Sequence, residues 1–338
     1  MRLLENPYAG KGLSDGVLAG VPVPSTNAGA PRALLERCPK AAVTPLLLLE
    51  ALAGAGQVFV KDERARMGLG SFKALGAAYV IACEAEQGRA KGQTFVCASA
   101  GNHGLSVAAG AEAFGALAVI YLSDAVPEGF AERLRARGAE VVRVSGSYED
   151  SMEAAAQAAA TNGWQLLSDS SWAGYTEVPH RLMEGYLTLA AEAFEQMEHA
   201  PTHIFLQAGV GGLAASCAAY FRQVWGDAPE IIVVEPEHAP ALYESIKAGQ
   251  FVSTEGPVSN MGRLDCKEAS LIALKGLSRD ADGFMLLSDT EAEAAMPALA
   301  QLGLATSTSG GAGLAGLMKL PPLGPDARVL TILSEGAA

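Results

Sequence analysis

The chain has no apolar run long enough to span a membrane, and its start, Met-Arg-Leu-Leu-Glu-Asn-Pro, lacks the apolar stretch of a signal peptide. No membrane role is expected, and a cytoplasmic location is. Basic residues are few: 24 lysines and arginines face 37 acidic residues, a formal charge of −13, with no basic cluster. Nucleic acid and anionic membranes are therefore poor partners, and an anionic ligand must be held locally by backbone N–H groups and a few placed side chains. The five cysteines, at 38, 83, 97, 217 and 266, show no CxxC or zinc-type spacing, so they read as small buried hydrophobes in a reducing compartment. His180, His199, His203 and His238 are scattered without ligand spacing, and no metal site is expected.

What is present is a large apolar fraction. Half of the 338 residues are apolar, enough to bury a core divided between two compact domains. Short runs rich in β-branched residues recur at 58–60, 94–97, 118–122, 140–144, 203–207, 230–235 and 329–333. Alanine-rich stretches with helical spacing lie between them, at 106–114, 147–161, 178–197 and 213–225. Strands alternating with helices predict the α/β class, with parallel-type sheets flanked by helices. The first forty residues, with several glycines and prolines and little periodicity, read as a wrapping arm.

Three segments carry chemistry. In Gly68-Leu-Gly-Ser-Phe-Lys-Ala-Leu-Gly, Lys73 follows a glycine-serine turn at the start of an apolar helical run. Burial there lowers an amine's pKa and suits it to carry an aldehyde as a Schiff base; the alternative is an ordinary lysine in a helix's first turn. Ser99-Ala100-Gly101-Asn102-His103-Gly104 and Ala208-Gly209-Val210-Gly211-Gly212-Leu213 each follow an apolar strand and open a helix. Such turns aim N–H groups at an anion. A nucleotide-binding turn is the rival reading of the second, with Glu235 as the acidic ribose partner.

Together these segments resemble the fold-type II family of pyridoxal 5′-phosphate (PLP) enzymes, and within it the diaminopropionate ammonia-lyase branch. Further similarity runs through Val43-Thr-Pro-Leu46, Val60-Lys-Asp-Glu63, Trp172-Ala-Gly-Tyr175, Glu184-Gly-Tyr186 and Leu206-Gln207. The resemblance implies a large domain of residues 1–74 and 165–338 with a smaller inserted α/β domain of 75–164. It implies the cofactor in the cleft between them, a small amino acid as substrate, and a homodimer.

The resemblance also implies roles. Lys73 would carry PLP and act as the base at Cα, with Phe72 near the ring. Gly209, Val210, Gly211, Gly212 and Leu213 would cradle the phosphate. Ser99, Ala100, Gly101, Asn102 and His103 would hold the substrate carboxylate, with Asn102 also on the ring oxygen and Ser309 against the pyridine nitrogen. Helix capping is the alternative for Ser99, Asn102 and Ser309. Asp169 would protonate the leaving group.

This chain departs from the branch at Ala100, where diaminopropionate ammonia-lyases carry an aspartate implicated as the base for the D-isomer. Its loop resembles that of a threonine or serine dehydratase. The implied activity is β-elimination from a small 3-amino or 3-hydroxy L-amino acid, giving a 2-oxo acid and ammonia. The alternatives are β-replacement, as in cysteine synthase, and PLP binding without turnover.

Overall fold

The β-branched runs form strands because their side chains fill both faces of a covered sheet, and the alanine-rich runs form the helices that cover it. The computed structural model describes residues 2–13 and 16–337. In chain order its strands are β1 (Arg2–Glu5), β2 (Leu46–Glu50), β3 (Ala55–Asp62), β4 (Thr94–Cys97), β5 (Leu117–Ser123), β6 (Glu140–Val144), β7 (Gln165–Leu166), β8 (His203–Gln207), β9 (Glu230–Pro236), β10 (Gly283–Leu287) and β11 (Gly324–Leu333). The helices are α1 (Gly29–Leu35), α2 (Lys73–Glu86), α3 (Asn102–Phe114), α4 (Glu128–Arg135), α5 (Tyr148–Asn162), α6 (Glu177–Gln196), α7 (Gly212–Trp225), α8 (Ala241–Ala248), α9 (Leu271–Asp280), α10 (Asp289–Gln301) and α11 (Ala312–Leu317).

The larger sheet has the order β1-β10-β9-β8-β11-β3-β2 and the smaller one β6-β5-β4-β7. The smaller sheet is wholly parallel. The larger is parallel from β10 to β3, with antiparallel β1 and β2 at its edges. This is the expected α/β class. Two details differ from the sequence reading. Residues Gln165–Leu166 pair with β4, so the smaller sheet extends past residue 164. The N-terminal arm contributes β1 and α1, and Asn6 Nδ2 ties it to the carbonyls of Ser278 and Ala281 at 2.9 and 2.7 Å. Its register comes from long-range pairing, which local periodicity does not encode.

One apolar cluster joins Phe95 and Ile120 of the smaller sheet to Leu206 and Val233 of the larger. Close helix packing has a local cause. A Cβ on Gly76 of α2 would lie 2.7 Å from the Tyr186 ring, and one on Gly185 of α6 would lie 2.5 Å from the Leu75 carbonyl. Bare backbones at 76 and 185 let α2, near its start, cross the middle of α6 closely, and Lys73 stands at the head of α2.

Candidate active site

The backbone that leads into Lys73 is fixed from both sides. Phe72 donates its N–H to the Ser334 carbonyl at 3.1 Å, and Ser71 forms a β-bridge with Glu335 beyond the end of β11. Upstream, a buried charge cluster anchors the segment to α6: Lys61 Nζ meets Glu192 Oε2 at 2.7 Å, and Arg66 bonds both Glu63 and Glu192 at 2.7 Å. Thr44 Oγ1 completes it on Glu63 at 2.5 Å. Paired charges at this depth are tolerated because each is matched and hydrogen-bonded. The motif residues Thr44, Lys61 and Glu63 thus build the support of the site.

Lys73 Nζ rests on Asp169 Oδ2, and the two side chains are 21% and 19% exposed. Burial alone would lower the lysine's pKa, as the sequence reading expected. The Asp169 carboxylate outweighs it and raises the Lys73 pKa above the ordinary lysine range. For Asp169, burial pushes upward, yet the Lys73 charge and hydrogen bond hold the carboxyl below its ordinary range. Both expectations change accordingly. Without cofactor the lysine is charged, and Asp169 is an ionised carboxylate rather than an acid with a proton to give.

Asp169 is positioned by its neighbours in sequence. Tyr175 Oη accepts the Ser168 N–H at 3.1 Å and donates to the Leu166 carbonyl at 2.7 Å. Trp172 stacks on Tyr175 with ring centroids 4.4 Å apart. Ser171 Oγ pairs with Ser270 Oγ at 2.7 Å at the start of α9.

The turn after β8 reaches the same place, since a Cβ on Gly212 would lie 3.9 Å from the Asp169 carbonyl. Gly211 precedes α7 at φ +95°, a conformation that favours glycine. No side chain caps α7, and the N–H groups of Gly211, Gly212 and Leu213 have no acceptor among the described residues. These donors sit at the positive end of the helix. On the other side of the loop, a Cβ on Gly209 would lie 3.1 Å from Cys266 Sγ, and the Val210 carbonyl accepts the Ser270 N–H at 2.9 Å.

Phe72 packs edge-on to Tyr186, with centroids 4.9 Å apart and the Lys73 ammonium 5.5 Å from the Phe72 ring. The Tyr186 hydroxyl is buried without a hydrogen-bond partner among the described residues. Ser309 Oγ accepts the Arg263 N–H at 3.1 Å, which leaves its own proton uncommitted. The capping alternatives fall away: Gly101 and Gly311 precede α3 and α11, and no side chain caps either helix.

Around the Ser99–Gly104 loop the structure adds groups that the sequence reading missed. Asn102 Nδ2 donates to Glu335 Oε2, which leaves its second N–H free. Ser307 donates to the other oxygen of Glu335. The buried His103 Nε2 donates to the Leu167 carbonyl at 2.7 Å, and its buried Nδ1 has no hydrogen-bond partner among the described residues. Ser99 and Ala100 are half-buried in the loop before α3. The signal for Glu335 was its place just past the carboxyl end of a parallel strand, where open α/β sheets bind ligands.

These donors suit an aldehyde cofactor with a phosphate: one amine, bare N–H groups at a helix start, a free amide N–H, a free hydroxyl proton and an unpartnered phenol. A family model described as pyridoxal-phosphate dependent enzyme matches residues 39–335. The diaminopropionate ammonia-lyase of Salmonella typhimurium is 38% identical over 269 residues, 70% of this chain and 67% of that protein. Its Escherichia coli K12 counterpart is 33% identical over 334 residues, 87% of this chain and 84% of that protein. The crystal structure of the Escherichia coli diaminopropionate ammonia-lyase with an aminoacrylate-PLP azomethine reaction intermediate superposes with a TM-score of 0.88 at 31% identity, covering 99% of this chain and 93% of that one. Residues at both ends of the match, from the charge cluster behind Lys73 to Glu335, are those that build the site, and the chain belongs to the pyridoxal-phosphate dependent enzyme family, with PLP as its cofactor and diaminopropionate ammonia-lyases among its relatives.

Proposed function

We propose that the protein is a PLP-dependent lyase that removes a β-substituent and then ammonia from a small L-amino acid, giving a 2-oxo acid, in the manner of a diaminopropionate ammonia-lyase. The observation that supports this most is the Lys73–Asp169 pair beside the uncapped start of α7. When bound, PLP supplies the electron sink that lets a Cα proton leave. Lys73 Nζ is the atom placed to hold the cofactor and then to take that proton. Gly211 to Leu213 would hold the cofactor's phosphate, and Asn102 and Ser309 Oγ would serve the ring oxygen and the pyridine nitrogen. The start of α3 orients the substrate carboxylate.

Asp169 sets the preference among leaving groups. A carboxylate at Asp169 attracts a cationic 3-ammonium group, which leaves already protonated, whereas a 3-hydroxyl must take up a proton as it leaves, from Asp169 or from the Lys73 ammonium formed at Cα abstraction. This favours a 3-amino substrate over a 3-hydroxy one.

In this reading the cofactor lies between a large unit of residues 1–74 and 165–338 and a smaller one of 75–164, in a cytoplasmic homodimer. The test is release of 2-oxo acid and ammonia from a panel of L- and D-amino acids by PLP-supplemented protein, beside Lys73→Ala. Pyruvate and ammonia from L-2,3-diaminopropionate, lost in Lys73→Ala together with the visible cofactor band, is the expected result. A protein that takes up no PLP, or that releases neither product from any member of the panel, overturns the reading.

A further inference from the structure

Arg263 reaches across from the segment after α8 to the Ser99–Gly104 loop. Its backbone is fixed on both sides: the N–H is on Ser309 Oγ at 3.1 Å, and the carbonyl lies 3.1 Å from where a Cβ on Gly209 would stand. The side chain runs over Gly101. An ideal Cβ on Gly101 would lie 3.3 Å from Arg263 Nε and 3.6 Å from Cζ, so glycine at 101 leaves the space that the guanidinium fills. The Phe130 ring of α4 backs it, with Cζ 5.9 Å from the ring centroid. Glu335 Oε2 stands 3.6 Å from Nε, close enough for charge attraction and too far for a hydrogen bond.

The guanidinium donates no side-chain hydrogen bond among the described residues, although a guanidinium carries five N–H donors. It lies beside the start of α3, a helix that no side chain caps. Charge accounting points the same way. The contacts around the loops join Lys73, Asp169, Arg263 and Glu335, and the Lys73 charge is matched by Asp169. Without Arg263, a substrate carboxylate entering here would meet the unneutralised Glu335 carboxylate in a protein already at −13.

We propose that Arg263 is a specificity-determining residue that pairs through its guanidinium with the α-carboxylate of the incoming amino acid, over Gly101 and between Phe130 and Glu335. Backbone N–H groups of the loop hold one side of that carboxylate, and the planar fork of Arg263 holds the other. Phe130 and Glu335 fix the fork before substrate arrives, so little side-chain freedom is lost on binding. The inference rests on the reading that Lys73 carries the cofactor.

The test uses the PLP-loaded protein and two probes without a β-leaving group: L-alanine, which has the carboxylate, and L-alaninamide, which lacks it. Equilibrium binding is read from the shift of the cofactor's absorption band. Arg263→Ala and Arg263→Gln should weaken L-alanine binding about 10- to 100-fold, as expected for losing a charged hydrogen bond, and leave L-alaninamide binding unchanged. Arg263→Lys should fall between. With a reactive substrate, KM should rise far more than kcat falls. Arg133→Ala, which also contacts Phe130 with Cζ 4.6 Å from its centroid, serves as a control that should change neither affinity.

Equal L-alanine affinity in wild type and both variants overturns the inference, as does an equal loss for both probes, which marks a structural role. Should Arg263→Ala fail to fold, Arg263→Lys and Arg263→Gln carry the same comparison. Failure of the wild-type protein to take up PLP overturns the underlying reading as well. Uptake with alanine affinity indifferent to Arg263 overturns this inference alone.

Discussion

The ammonium of Lys73 rests on the carboxylate of Asp169 across 96 residues of chain, and this contact sets the charge of both groups. Burial and pairing act in opposite directions on the lysine, and the pairing wins. Asp169→Asn therefore should lower the Lys73 pKa in the cofactor-free protein, because burial is then opposed by no adjacent carboxylate. The pH dependence of Lys73 acylation, followed by peptide mass mapping, should shift to lower pH. In the loaded enzyme the same variant should narrow the preference for 3-amino over 3-hydroxy substrates. An unshifted acylation profile would show that Asp169 does not control the amine.

The phosphate loop is best probed at Gly212. Valine at Gly211 is a poor choice, since φ is +95° and a Cβ would stand 2.9 Å from that of Ala273, so folding itself would suffer. A Cβ on Gly212 meets only ordinary contacts, the nearest at 3.6 Å from Met183. Gly212→Val should weaken PLP retention, measured by dialysis and absorbance, while the Tm of the cofactor-free protein stays within a few degrees of wild type. Unchanged retention would place the phosphate elsewhere.

Glu235 ends β9 fully buried, accepting the N–H groups of Leu242 and Tyr243 at 2.8 and 2.7 Å at the start of α8. Burial pushes its carboxyl up to about 8 against the pull of those donors. A folded-state value above the ordinary 4.5 means that the native state keeps a proton the unfolded chain has lost. The stability tied to it is full below about pH 4.5 and declines as pH rises through 8. Denaturant midpoints between pH 5 and 9 should show this decline, and Glu235→Gln should flatten it. A wild-type curve without that slope would mean that the two backbone donors hold the carboxylate ionised.

Ala100 has no proton to move, so abstraction at Cα is left to Lys73 on one face. Turnover of L-2,3-diaminopropionate should exceed that of the D-isomer by about 10²- to 10⁴-fold, the usual effect of a positioned base. Ala100→Asp should raise D-isomer activity. Comparable rates on both enantiomers in the unmodified protein would point to another base.

The sequence by itself determined the α/β alternation, the strands from 203 to 207 and 140 to 144 with the bounds the structure has, and the two glycine turns that open helices. Those features are written in local periodicity and turn chemistry. The motifs around Lys73 and residues 208–213 also carried the family and its cofactor, because backbone approach to an anion demands small residues at fixed spacing. Only the tertiary structure decided the rest. A lysine's pKa depends on what stands beside it, and Asp169 arrives from 96 residues away to reverse the effect of burial. His103 lies inside the loop motif, yet its Nε2 is bound to the Leu167 carbonyl, 64 residues along the chain. Arg263 occurs in no local pattern that marks a site, and Glu335 is marked only by its place past the end of a strand. They meet the start of α3 because the end of β11 and the segment after α8 both pass over Gly101 and Asn102, and long-range packing of that kind leaves no trace in the spacing of neighbouring residues.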